Sequence, residues 1–179
     1  MNKSEIRKKK IKLRKLNNSK HLVINIKSII KILKTENIKG KVLGGYYPYN
    51  YEIDAVQILE KFERYNYHIC LPKIKKNFDM DFFYWSAKEP LCINQYGIPE
   101  PISNKVEYPD IILVPLVAYD RNLNRIGYGG GYYDRYFKKI KKMKKVVTIG
   151  LAHSCQKVKE IPIDKYDIKL DFIITEKKN

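Results

Sequence analysis

Apolar residues recur at helical spacing in four stretches of the chain and run together in six others, and this contrast sets out the elements. From Lys3 to about Leu16, Ile6, Leu13 and Leu16 lie among lysines and arginines, which predicts a helix with a narrow apolar stripe. Asn17-Asn18-Ser19 breaks it. Ser19 is placed to cap a second helix carried by Leu22, Ile26, Ile29, Ile30 and Leu33, with Asn37 to Gly40 as its stop. Val42 to Tyr47 reads as a strand ended by Pro48. Asn50 or Glu52 opens a third helix through Ile53, Val56, Leu59 and Phe62, and Tyr67 to Leu71 is a strand closed by Pro72. Strand, helix, strand in this order predicts a right-handed parallel crossover. Phe82 to Trp85 is a short strand on the sheet's margin, and Pro90 to Pro109, with four prolines, is expected to be mostly loop.

The second half repeats the alternation. Ile111 to Ala118 is an apolar, β-branched run of the kind buried in a parallel sheet. A glycine-rich turn follows, then a helix from about Tyr132 to Lys142, a strand from Val146 to Leu151, and a last strand from Asp171 to Thr175. The pattern predicts an α/β fold: a three-layer, open, mostly parallel sheet with helices on both faces, Rossmann-like, with residues 1–179 as a single domain. There is no internal repeat and no interdomain linker; the basic run Lys138 to Lys145 reads as a solvated helix end.

Composition alters this picture in two ways. The net charge of +17 would attract any polyanion, so an RNA-associated protein is a rival to a nucleotide-binding one. Lysine is spread through nearly every segment, which weakens the case for one designed basic face. Cys70, Cys92 and Cys155 are odd in number and form no C-x-x-C pair, as expected of free thiols in a reducing compartment. The N-terminus carries no apolar run long enough for a signal peptide or membrane span, so a cytoplasmic protein is expected.

The chemistry concentrates in Arg125-Ile126-Gly127-Tyr128-Gly129-Gly130-Gly131-Tyr132-Tyr133-Asp134-Arg135. Glycine tolerates positive φ and lets a ligand touch the main chain, and the helix start behind it adds unsatisfied donors. A phosphate is the natural guest at the carboxyl end of a central strand. GYGGGY fits neither the dinucleotide fingerprint nor the P-loop, and a tight connection that binds nothing stays open as the alternative.

Read with its flanks, the turn resembles that of the 5-formyltetrahydrofolate cyclo-ligase (5,10-methenyltetrahydrofolate synthetase) family. The resemblance is carried in order by Lys3-x-x-x-Arg7, Tyr51-Glu52-Ile53-Asp54, Pro72-Lys73 with Met80, Tyr96 to Pro101, Val114 to Asp120, Arg125 to Arg135, and Gln156 with Ile161-Pro162, Asp167 and Leu170-Asp171. One position departs: the family usually carries Arg where this chain has Tyr128, so a fixed cation is missing from the turn.

The resemblance implies an ATP- and Mg²⁺-dependent ring closure of 5-formyltetrahydrofolate, in which the γ-phosphoryl group is transferred to the formyl oxygen. Such catalysis rests on positioning and charge stabilisation, so donors, cations and metal ligands are expected in place of a nucleophile. It implies Arg125 and Tyr132 as catalytic residues. Lys3, Arg7, Arg125, Gly127, Tyr128, Gly129, Gly130, Gly131, Tyr132 and Tyr133 would hold ATP, and Asp134 with Asp167 the metal. Tyr47, Glu52, Lys73, Met80, Tyr128 and Tyr132 would contact folate, with Glu52 accepting from the pterin N–H edge. Without the resemblance, Lys3 and Arg7 read as a solvated helix face, Asp134 as a cap, Asp167 as a turn residue and the tyrosines as core. His153 and Cys155 suggest a Cys/His pair only weakly, and Asp171 reads as structural. The expected partners are reduced folate and ATP, acting on a monomer with no obligatory nucleic acid and no membrane; a non-catalytic nucleotide-binding protein is the other alternative.

Overall fold

The computed structural model describes residues 1–17 and 23–176. Eleven strands and four α-helices are present among them. The main sheet is built from β1 (Val42–Gly44), β2 (His68–Ile74), β3 (Met80–Trp85), β6 (Val106–Glu107), β7 (Ile111–Pro115), β10 (Val147–Ala152) and β11 (Phe172–Thr175). Its order is β11-β10-β7-β1-β2-β3-β6. The first five strands in that order run parallel, whereas β3 is antiparallel to both of its neighbours. The mostly parallel α/β sheet is therefore as expected.

Helices cover both faces. On one, α2 (Ile26–Thr35) and α3 (Val56–Glu63) set Ile29, Leu33, Leu59 and Phe62 against Leu43, Ile69, Ile111 and Ile149. On the other, α4 (Tyr132–Ile140) sets Tyr136, Phe137 and Ile140 against Cys70, Phe82, Ile112 and Val114. Residues adjacent in a strand thus serve opposite cores, as the period of two requires: Ile111 faces one and Ile112 the other. This explains the unbroken apolar run of β7, which is buried on both sides.

Helix α1 (Lys3–Leu16) packs elsewhere, against the hairpin of β8 (Ala118–Tyr119) and β9 (Arg125–Ile126). A capping box starts it: Glu5 N–H donates to Asn2 Oδ1, and Asn2 N–H to the Glu5 carboxylate, each at 2.9 Å. Its inward face is not the expected apolar stripe. Ile6 is buried, but Leu16 is exposed, and the other buried side chain of the helix is Arg14.

Other boundaries moved for local reasons. The proposed Ser19 cap and Leu22 lie outside the described residues; α2 begins at Ile26, where Asn25 Oδ1 accepts from Lys27 N–H at 2.9 Å. Neither Asn50 nor Glu52 opens α3. Asp54 does, its Oδ1 accepting from Val56 N–H at 3.0 Å and Gln57 N–H at 3.3 Å. The first strand ends at Gly44, short of Tyr47. Pro72 does not close β2. His68 donates to Lys41 and Cys70 accepts from Gly45 on the β1 side, so the Pro72 nitrogen faces that side beyond the last β1 pairing and forfeits no bond. The freed end of β2 continues to Ile74 against β3, which starts at Met80. The expected loop from Pro90 to Pro109 holds three short strands: β4 (Leu91–Ile93) and β5 (Pro99–Pro101), which pair as a small antiparallel ribbon, and β6 at the main sheet's edge. The strand beginning at Ile111 stops at Pro115, and Ala118-Tyr119 instead starts the β8–β9 hairpin.

Phe62 is 1% exposed and meets Tyr67 edge-on with ring centroids 4.9 Å apart. Phe62→Ala should cost about 3–5 kcal/mol, read as a lowered midpoint in urea with an unchanged slope.

Candidate active site

β1 leads through α3 to β2 on one side of the sheet, while β7 leads to β10 on the other, so the chain reverses direction between β1 and β7. Ligands of open α/β sheets bind in the crevice at such a point. A cleft of about 630 Å³ lies there, walled by residues following β1, the end of β2, Pro115 at the end of β7, and the glycine turn.

The turn is presented by the β8–β9 hairpin. Asp120 organises that hairpin by accepting from Asn122 N–H, Asn124 N–H and the Asn124 amide. Gly129 has φ 103° and Gly131 φ 66°, conformations that side chains resist. Gly131 caps α4, whose first backbone bond is from Arg135 N–H to Gly131 O at 3.1 Å. The amides between them are thus left unused by the helix. Arg7 Nε donates to Gly127 O at 2.8 Å and Arg135 Nη2 to Gly130 O at 2.7 Å. The turn is held by its carbonyls.

Lys3, Arg7, Lys10 and Arg14 follow one another at helical spacing along α1 and form its inward stripe. Lys3 Nζ bonds Asp164 and Asp167, each at 2.5 Å, and Lys10 Nζ bonds the carbonyls of Cys155 and Lys157. Burial works against the Lys3 ammonium, but the two carboxylates outweigh it and raise its pKa, so it stays charged. Arg125 is buried; its Nη1 donates to Asp134 Oδ1 at 2.9 Å and Ile168 O at 2.8 Å, and its guanidinium lies over the Phe137 ring. The Tyr132 ring has Phe78 beside it and the Arg135 guanidinium over it, with its hydroxyl 3.3 Å from that of Tyr96. Tyr133 is half-buried, with its hydroxyl out of solvent and unpaired.

Glu52 occupies the far end of the α1 stripe from Lys3, about 16 Å along the helix axis at Arg14. Asn50 and Tyr51, with φ 47° and 63°, form the turn that delivers it, and Tyr49 N–H donates to Glu52 Oε2 at 2.9 Å. Its side chain is 4% exposed, and Oε1 has no hydrogen-bond partner. Burial, the largest influence, pushes its carboxyl up to about 7; the Tyr49 amide, the Arg14 guanidinium and the Tyr128 hydroxyl pull the other way. Tyr128 packs edge-on to Tyr49, at 5.7 Å between centroids, and accepts from Arg14 Nη2 at 2.5 Å.

The cleft brings together every residue singled out from the sequence except Lys73. Pro72 and Ile74 face the cleft, so Lys73 between them points away; it lies over the Phe83 ring and bonds Ser103 O at 3.3 Å. Tyr47 and Met80 line the wall. Sequence reading passed over Arg14, and it named Tyr96 and Glu100 within the family motif without giving them a role. Glu100 Oε1 accepts from Ile74 N–H and the Asn94 amide, tying the β4–β5 ribbon to the end of β2. The cations at 3, 7, 10 and 14 were the available signal for Arg14. His153 and Cys155 make no catalytic pair: His153 bonds Tyr51 O, and burial pushes the Cys155 thiol up, away from a thiolate.

Among the described residues no three His, Cys, Asp or Glu side chains converge as a metal site. Asp134 and Asp167 each use one carboxylate oxygen, Asp134 Oδ1 toward Arg125 and Ile168 N–H, and Asp167 Oδ2 toward Lys3 and Asp164 N–H. Their other oxygens, in a cleft that can also admit phosphate, fit the one or two carboxylates that Mg²⁺ takes.

Fold and site together define an α/β protein with a cleft at its switch point, lined at one end by the glycine turn with Lys3 and Arg7 and at the other by the Glu52 carboxyl among tyrosines. The model of the 5-formyltetrahydrofolate cyclo-ligase family matches residues 1–176, and the chain belongs to that family. The 5-formyltetrahydrofolate cyclo-ligase of Haemophilus influenzae is 31% identical over 143 residues, 75% of each chain. Among solved structures, the 5,10-methenyltetrahydrofolate synthetase of Aquifex aeolicus superposes with a TM-score of 0.79 at 30% identity, covering 99% of this chain and 91% of that one. The synthetase of Mycoplasma pneumoniae gives 0.74 at 26% identity, covering 99% and 100%. These matches do not favour the RNA-associated alternative.

The raised Glu52 carboxyl makes stability depend on pH. Between about 4.5, its ordinary value, and about 7 the folded state holds a proton that the unfolded state has lost, so this group's contribution is present below the window and lost as pH rises through it. Glu52→Gln should therefore raise the melting temperature at pH 8 but not at pH 4.5, by an increment of order 1–3 kcal/mol in stability.

Proposed function

We propose that the cleft joins ATP to 5-formyltetrahydrofolate and closes the latter to 5,10-methenyltetrahydrofolate, releasing ADP and phosphate. The observation that carries this reading is that the glycine turn and the buried Glu52 carboxylate open into one cleft of a chain belonging to the cyclo-ligase family. Resonance makes a formamide carbon a poor electrophile and its oxygen a poor leaving group. Phosphorylation of that oxygen breaks the bond between the β–γ bridging oxygen and the γ-phosphorus, with ADP leaving. It yields an iminium phosphate that the neighbouring ring-closing nitrogen attacks; phosphate then departs with the former formyl oxygen, and the nitrogen loses its proton.

The protein's part is placement and charge. The free amides of the turn and the cations Lys3, Arg7 and Arg125 hold phosphate oxygens. Tyr132, with Arg135 over its ring, stands where the turn meets the aromatic wall, suited to keep the formyl group and the γ-phosphate in line. Asp134 and Asp167 would hold Mg²⁺, which supplies charge neutralisation on the phosphates. Glu52 accepts from the pterin N–H edge, with Tyr47, Met80 and Tyr128 around the ring. Cys70, Cys92 and Cys155 are free thiols, in keeping with a cytoplasmic protein, here read as a monomer and a single cyclo-ligase domain.

Mixing the protein with 5-formyltetrahydrofolate and MgATP should generate the methenyl absorbance, and a folded preparation that yields none excludes the reading. Asp134→Asn should lower kcat by about a hundredfold or more and raise the Mg²⁺ requirement, measured as rate against Mg²⁺ concentration. Glu52→Gln offers one acceptor and one mismatched donor to the pterin edge; the folate KM should rise about tenfold or more with the ATP KM little changed, as steady-state kinetics on each substrate will tell.

A further inference from the structure

Arg14 does not line the cleft, yet at 2% exposure it is the most buried cation among the described residues. Its Nη1 donates to Leu116 O at 3.1 Å and its Nη2 to the Tyr128 hydroxyl, while Nε is buried with no partner. Glu52 Oε1 stands 4.0 Å from Nη1, and both side chains are almost wholly buried. That gap is too long for a hydrogen bond and short enough for a strong charge interaction at low dielectric. A bidentate contact would have consumed the carboxylate's acceptor sites. Here the charge is balanced while Oε1, buried and without a hydrogen bond, keeps its lone pairs. Burying an unpaired acceptor costs free energy that nothing else in the fold recovers, which points to a ligand's donors as its partner.

We propose that Arg14 is a positioning residue for substrate capture: from behind the cleft wall its guanidinium favours the anionic form of Glu52 while leaving Oε1 unbonded, and its bond to the Tyr128 hydroxyl ties the glycine turn to that carboxylate. The inference rests on reading Glu52 as the folate anchor. The titratable and charged groups facing Glu52 are Arg14 from α1, Tyr128 from the turn, Tyr46 after β1 and Tyr133 from α4, with the Tyr49 amide beside it. Burial keeps the three phenols neutral near pH 7, that of Tyr128 being pushed up to about 12. Arg14 is therefore the permanent charge in the group. Its bond to Tyr128 also means that a shift of the turn on nucleotide binding is felt at the carboxylate.

The test is the pH dependence of kcat/KM for 5-formyltetrahydrofolate, followed by methenyl absorbance in wild type, Arg14→Met and Arg14→Lys, with circular dichroism and melting curves to verify folding. For Arg14→Met the acid limb should move up by about one pH unit or more. The folate KM at pH 7 should rise about fivefold or more with the ATP KM little changed, because moving the carboxyl from about 7 up by one unit cuts its anionic fraction at pH 7 from about one half to about one tenth. Arg14→Lys should return the limb most of the way, since the charge and not the fork is what acts at 4.0 Å. A folded Arg14→Met protein whose limb stays in place, or whose two KM values rise together, overturns the inference by assigning Arg14 to packing alone. If Arg14→Met does not fold, Tyr128→Phe decides: loss of the hydroxyl should raise the limb by a smaller step, and an unmoved limb overturns the proposal. Absence of product from the wild type would remove the folate reading itself; an active wild type with an unmoved limb in the variants removes only the role of Arg14.

Discussion

The glycine turn keeps its amides available because arginines occupy its other bonding groups. Arg7 takes the carbonyl of Gly127, Arg135 takes that of Gly130, and Arg14 takes the hydroxyl of Tyr128, the turn's single side chain. A short run of glycines has no intrinsic reason to hold one shape, since each has more conformational freedom to lose than any other residue. Bonded through its carbonyls, the turn lines the cleft with its amides left out of the α4 ladder, in keeping with the anion site proposed above. Two of the three arginines come from α1, so docking of that helix on the β8–β9 hairpin is a condition for the site and not an ornament of the N-terminus.

The same dependence accounts for the unusual face that α1 turns inward. A helix packed on a protein surface ordinarily presents an apolar stripe, and its cations remain in water. Here Ile6 supplies the apolar contact, joining Ala118, Ile126 and Ile161, while the cations on either side reach carbonyls, carboxylates and a phenol. Each ammonium or guanidinium is buried only as far as it finds an acceptor, which limits the desolvation penalty. Glu52 and Arg14 are the exception. Arg14 finds acceptors in Leu116 O and the Tyr128 hydroxyl but makes no hydrogen bond to the carboxylate 4.0 Å away, and burial makes that carboxyl bind its proton more tightly in spite of the nearby charge. The cleft thereby carries a local instability that the extensive apolar layers on both sheet faces can sustain, an arrangement common where binding chemistry needs a poorly solvated acceptor.

Much of the layered fold was legible in the order of apolar runs. β7 and β10 show continuous burial, and α3 and α4 show helical spacing, because each of these elements meets the core over its whole length. The errors cluster where a neighbour decides. Pro72 looked like a strand end, and would be one if β1 extended beside it. Glu52 looked like a helix cap and is a buried acid, since the left-handed turn at Asn50 and Tyr51 carries it into the interior before Asp54 starts the helix. Prolines at 99 and 101 suggested loop, but β5 pairs with a single neighbour and has an open edge on which a missing N–H costs little.

By itself the sequence determined the alternation of strands and helices, the glycine turn behind a buried strand, and the ordered motifs that place the chain in its family, because these depend on local periodicity and on residue identities within a few positions of one another. Tertiary structure alone decided that Arg7 and Arg14 bond the turn more than a hundred residues away while Lys3 meets Asp164 and Asp167, that Lys73 points away from the cleft, and that Glu52 keeps one oxygen unpaired. A cation looks the same in sequence whether it is solvated or buried; which it becomes is set by the carbonyls and carboxylates that folding brings within reach of it.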